Sequence, residues 1–139
     1  MTWVPPLSVL VRYLIALIVV SHGITYIAFD WMGVSGAYQF AGWKGSSWLL
    51  GSAITGDALK TLTSAFWAIA GVGFIATGIV IAFSPLLQGF SRPLAIGAST
   101  VSILSFAIFW DGQTAHFPGQ GGIGMILSLI ILVSAIVFG

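Results

Sequence analysis

The chain has 139 residues, 58% of them hydrophobic and 5% charged, with a mean hydropathy of +1.10. A soluble domain uses about 25% charged residues to solvate its surface, so this composition excludes an ordinary water-soluble globule and places the chain in a bilayer. The balance of +1, from Arg12, Lys44, Lys60 and Arg92 against Asp30, Asp57 and Asp111, excludes a polybasic nucleic-acid surface, and the lack of cysteine excludes disulfides, thiolate metal sites and thiol catalysis.

Four apolar segments, residues 7–29, 61–83, 93–110 and 121–139, run for 18 to 23 residues each. At 1.5 Å per residue about 20 residues cross a hydrocarbon core of about 30 Å. The pattern therefore predicts a single all-α domain, an integral membrane four-helix bundle of up-down topology. The first run follows Pro5 and Pro6, has no basic cluster before it and exceeds the h-region of a signal peptide, so it reads as a retained span.

Residues 30–60 are too apolar for a solvated loop: "YQFAGWKGSSWLLGSAI" sets Trp43 and Trp48 around one lysine. They predict an interfacial segment with its tryptophans at headgroup level, the alternative being a lid over a cavity between helices. Gly56 and Asp57 offer a turn and an N-cap to the second span, with Lys60 at its surface. "SPLLQGFSRP" makes a tight link before the third span, and "DGQTAHFPGQGG" a polar, glycine-rich one before the fourth.

With an even number of spans, both termini and the 84–92 link share one face, and the 30–60 and 111–120 connections share the other. Arg12 and Arg92 sit close to span ends while Lys44 lies farther out, which tips the expected orientation towards cytoplasmic termini in a prokaryotic cytoplasmic membrane. Small residues at helical spacing mark packing faces: Gly71 with Gly78; Ala95, Ala98, Ser102 and Ser105; and Gly121, Gly124, Ser128 and Ala135. Lipid tails give helices no hydrophobic drive to associate, so close approach at such residues must hold them together.

His22 stands out in an aliphatic run, with Ser21, Thr25 and Tyr26 on one stripe through i+3 and i+4 spacing. Counted from a span end at residue 29, it lies about 10 Å below the face opposite the termini. Trp110, Asp111 and His116 belong to that same face, so His22, Tyr26, Trp110, Asp111 and His116 are expected to converge on one shallow pocket. Two readings stay open. Either His22 hydrogen-bonds a neighbouring helix, or His22 and Tyr26 hold a ligand, a quinone or a pigment. His22, Asp111 and His116 have the donor types of a metal site but lack ligand spacing, and His116 lies in a link rather than on a helix that could face haem. Arg12, near the start of its span, is expected to snorkel to the interface and is the candidate contact for a lipid headgroup. No nucleophile with a base, phosphate loop or paired carboxylates is recognisable.

The layout and the stretch "VRYLIALIVVSHGITY", an arginine, an aliphatic run and a late glycine, resemble the DoxX-like family of small four-span membrane proteins. The resemblance implies a four-helix fold associated with membrane redox systems, in some members quinone-dependent sulfur oxidation. Members often carry a basic residue after the late glycine, where this chain has Ile24, Thr25 and Tyr26. The expected function is an accessory or structural subunit packed against other integral subunits of an electron-transfer or photosynthetic complex, in contact with membrane lipids. The alternatives are a membrane component of a quinone-linked oxidoreductase and a small transporter or lipid-binding protein.

Overall fold

The computed structural model describes residues 7–35, 45–83 and 87–138. Pro5, Pro6, Trp43, Lys44 and Gly139, which the sequence reading used, lie outside the described residues. Within them the chain is all-α: α1 Leu7–Ser35, α2 Gly56–Phe83, α3 Gln88–Phe109 and α4 Gly122–Phe138, with a short 3-10 turn at Thr114–His116.

The helices begin or end away from the boundaries expected, for local reasons. α1 continues past Asp30 to Ser35, because Ser64 of α2 donates to the Asp30 carboxylate at 2.5 Å and so satisfies a charge that the sequence reading placed outside the span. α2 begins at Gly56, so Asp57 sits in its first turn rather than at the N-cap, where its charge faces the positive end of the helix dipole. Pro93 lies inside α3 rather than at its start. It removes one backbone hydrogen bond near the helix entrance and leaves the turn before it intact.

Consecutive helices run antiparallel. Gly23 of α1 lies on Gly71 and Ile75 of α2, and Gly78 on Ala16 and Val20. Gly73 of α2 meets Ala98 of α3, and Phe66 stacks edge-on with Phe109. Ser102 of α3 bonds Ser128 of α4, and Arg92 reaches Ile136. This is the up-down order expected, and Gly71, Gly78 and Ala98 lie in helix contacts as their spacing suggested. Gly121 does not: it adopts a left-handed φ of +95°, with nothing within 4 Å of a built Cβ, so it is a turn residue ahead of α4.

Burial is mixed, with small hydroxyl side chains enclosed beside Phe74 and Leu59 and many large aliphatic ones exposed. Ser99, Ser102, Ser105, Ser128 and Thr77 are fully enclosed, while Leu17, Ile123 and Val137 are each more than 60% exposed. The apolar core is compact: Val19, Tyr26, Trp67, Ala70, Phe74 and Ala98. By length and composition α1 (over Ser8–Trp31), α2 and α3 (over Gly89–Phe109) can each cross a membrane, and α4 is an apolar helix of 17 residues.

The α1–α2 glycine contacts set the helix separation. A Cβ on Gly78 would stand 2.5 Å from Val20 Cγ2 and 2.7 Å from the Ala16 carbonyl oxygen. Gly78→Val is expected to destabilise the protein by about 1–3 kcal/mol. Gly97→Ala, on α3 with nothing within 4 Å, is expected to be neutral or to stabilise by about 0.4–1 kcal/mol. Thermal unfolding in detergent compares the two.

Candidate functional site

Residues that the sequence assigned to two different roles form one hydrogen-bonded network. His22 Nε2 lies 2.9 Å from Ser128 Oγ, Ser128 Oγ lies 2.6 Å from Ser102 Oγ, and the Tyr26 hydroxyl bonds Ser102. Ser128 Oγ also donates to the Gly124 carbonyl at 2.9 Å. Its single proton is thereby used, so Ser128 Oγ accepts from His22 Nε2–H and from the Ser102 hydroxyl, and Ser102 accepts from Tyr26. All four side chains are buried, His22 at 6% exposure and both serines at 0%. The His22 ring also packs on Phe74 at 4.6 Å and edge-on to Tyr26 at 5.2 Å between centroids.

This network joins α1, α3 and α4 well inside the helices. Because α1 runs to Ser35, His22 lies close to its middle, about 20 Å from the Ser35 end, rather than near one face as the shorter span implied.

Beside the network lies a cavity of about 290 Å³ lined by His22, Tyr26, Phe29, Trp67, Pro118 and Gly121, with Thr25, Gly124, Ile123 and Leu127 completing the wall. Its aromatic and aliphatic lining suits an uncharged, apolar occupant. The Thr25 hydroxyl is turned back to its own helix, donating to the Ser21 carbonyl at 2.9 Å.

The expected five-residue convergence divides in two. His22 and Tyr26 line the cavity, whereas Trp110, Asp111 and His116 are not among its lining residues and form a cluster of their own in the α3–α4 link. The link turns back on itself at its first residues, so Asp111 and His116 satisfy each other instead of reaching inward. His116 Nδ1 lies 2.5 Å from Asp111 Oδ2, the Gln113 N–H donates to Asp111 Oδ1 at 2.9 Å, and the Asp111 N–H donates to Gln120 Oε1 at 3.1 Å. Trp110 stacks on Phe106 and meets Phe117 edge-on. Burial opposes ionisation of Asp111, but the hydrogen bond from His116, the Gln113 N–H and the His116 charge outweigh it and hold the carboxyl below its ordinary value.

The described part of the long connection is fastened to the end of α3. Ser47 donates to the Ile108 carbonyl, Trp48 Nε1 to the Ala107 carbonyl at 2.6 Å, and the Trp48 N–H to the Trp110 carbonyl at 2.8 Å. These bonds satisfy carbonyls that a helix end leaves without intrahelical partners. Arg12 holds its guanidinium 5.2 Å from the Tyr13 ring centroid, near the start of α1.

Among the described residues no group of three His, Cys, Asp or Glu side chains is placed to hold a metal ion. In comparisons with known proteins, the chain matches no family model, no curated protein and no solved structure. What sequence reasoning missed is that Ser102 and Ser128 are the partners of His22 and Tyr26. The available signal was that both serines sit on small-residue stripes, Ser102 with Ala95, Ala98 and Ser105 and Ser128 with Gly121, Gly124 and Ala135.

Ser128→Ala removes the shared acceptor and strands two buried donors, so a loss of about 1–3 kcal/mol is expected, against less than about 0.5 kcal/mol for Ser134→Ala on the exposed side of the same helix. Thermal unfolding in detergent measures both. Because the folded carboxyl of Asp111 titrates below its ordinary value, the clamp is intact above about pH 4 and is lost as pH falls through the lower folded value. Amide exchange over residues 111–121, corrected for intrinsic rates, should rise in that acid range. In Asp111→Asn it should be raised already at neutral pH, without the acid step.

Proposed function

We propose that this protein is a four-span integral membrane protein acting as a non-catalytic accessory subunit of a larger membrane complex. The observation that carries this reading is the combination of a closed interior with an apolar exterior. The chemistry-bearing side chains His22, Tyr26, Ser102 and Ser128 are engaged with one another, and large aliphatic side chains face outward on α1 and α4. In lipid, where tails give no hydrophobic drive, a buried polar network of this kind holds helices together and fixes their register. The 17 residues of α4 are the fourth span, about 26 Å long, at the short end of what crosses a bilayer. Arg12 and Arg92 at one end support a cytoplasmic location for that end. An electron-transfer or photosynthetic complex is the proposed setting, the former supported by the resemblance of the first span to the DoxX-like family.

A second reading, a membrane component of a quinone-linked oxidoreductase, is favoured by one observation, the aromatic-walled cavity beside His22 and Tyr26. Its volume of about 290 Å³ is roughly twice that of a cavity known to take benzene, which suits a fused two-ring headgroup.

Extraction tests the membrane assignment: the chain is expected to stay with membranes through an alkaline carbonate wash and to need detergent for release. Native mass spectrometry after mild purification should then find it in stoichiometric complex with larger membrane proteins, and recovery as a stable free monomer overturns the accessory role. For the second reading, His22→Ala should weaken binding of a naphthoquinone at least tenfold; unchanged binding removes His22 from any quinone site.

A further inference from the structure

The seam between α1 and α4 holds a second hollow on the opposite side of the His22–Ser128 bond. It has a volume of about 480 Å³ and is walled by Ile15, Val19, Ile81, Ile130, Ile131 and Ala135. It begins at Arg92 and Phe138, at the end of the molecule that carries Arg12, and closes at Leu127, beside the His22–Ser128 pin. From Phe138 to Leu127 the groove follows α4 for about 16 Å, close to half of a hydrocarbon core of about 30 Å. Its apolar length therefore matches one leaflet and no more.

Charge defines what belongs at its mouth. The chain has three side-chain carboxylates, Asp30, Asp57 and Asp111. They lie at the end of α1, the start of α2 and the end of α3, which the antiparallel order brings to the end of the molecule opposite Arg92. Arg92 Nη2 donates to the Ile136 carbonyl at 3.3 Å, which holds the guanidinium over the last turn of α4 at the groove entrance. A single such bond uses one of the five N–H donors of an arginine, and the fork geometry of the others suits phosphate.

We propose that the α1–α4 groove holds an anionic phospholipid, its phosphate on Arg92 and one acyl chain running to Leu127. This rests on the membrane reading above and adds to it a defined lipid site. A lipid with a neutral headgroup offers the same chain but no net charge for Arg92. Selection therefore comes from the headgroup, and occupancy from the groove.

The test is native mass spectrometry of the full chain in detergent, titrated with dioleoyl phosphatidylglycerol or dioleoyl phosphatidylcholine. The wild type is expected to retain one phosphatidylglycerol with at least tenfold preference over phosphatidylcholine. Arg92→Gln should reduce that preference to about twofold or less, and Arg92→Lys should keep part of it. Ala135→Trp, which fills the groove, should lower retention of both lipids while circular dichroism shows the helix content unchanged. Inorganic phosphate at equal concentration should not displace the lipid; displacement would make the site one for a free anion and overturn the proposal. Equal retention of the two lipids by the wild type, an Arg92→Gln variant that keeps the preference, or a second copy of the chain that excludes lipid from the seam each overturns it too. Any of these results from a chain that resists carbonate extraction leaves the membrane reading standing. A chain released by carbonate without detergent overturns both.

Discussion

The hydrogen bond from His22 to Ser128 is the constraint on which the rest of the arrangement depends. α1 packs on α2, α2 on α3 and α3 on α4 as neighbours in the chain, and such a row of helices is open along its outer seam. The bond to Ser128, with Gly124 set against His22 and Tyr26, ties the first helix to the last. Ser128 Oγ serves this role because it stands where three helices meet and engages His22, Ser102 and its own helix together. Buried among helices, these polar groups have no water to turn to, and the network is satisfied from within the chain.

Close approach of α1 and α2 makes that bond geometrically accessible. Gly23, Gly71 and Gly78 remove side chains from the crossing, and the backbones come near enough that a single added Cβ would overlap its neighbour. His22 and Tyr26 are thereby turned towards α3 and α4, while Ser21 and Thr25 of the same stripe stay exposed. The tie also divides the α1–α4 seam into two hollows, an aromatic-walled cavity on one side and an aliphatic groove on the other, with Leu127 lining both.

The two ends of the molecule differ in chemistry. At one, Asp30 is held by Ser64, Asp111 by His116 and Gln113, and the 45–55 segment is bonded to the last carbonyls of α3. The Asp30 and Asp111 carboxylates are thereby engaged within the chain, while Trp110 Nε1 and Gln120 Nε2 are buried there without a hydrogen-bond partner. At the other, Arg12 and Arg92 face a region without side-chain carboxylates. This asymmetry is the feature on which the proposed orientation and the proposed lipid site both rest.

The amino-acid sequence by itself determined the all-α class, four apolar helices, their order and the glycine faces at Gly71 and Gly78. Those follow from helix rise, hydropathy and the size of side chains, which are local properties. It also marked His22 and Tyr26 as unusual, through polar residues at helical spacing in an aliphatic run. Only the tertiary structure decided what those residues do. The reach of α1 past Asp30 depends on Ser64, 34 residues away, and the partner of His22 is Ser128, 106 residues away. The separation of Asp111 and His116 from the cavity depends on a link that folds onto itself. The distant pairs, His22 with Ser128 and Asp30 with Ser64, are set by helix crossings that no short window of sequence contains, and within the link the path of the backbone decides which of several nearby groups pair.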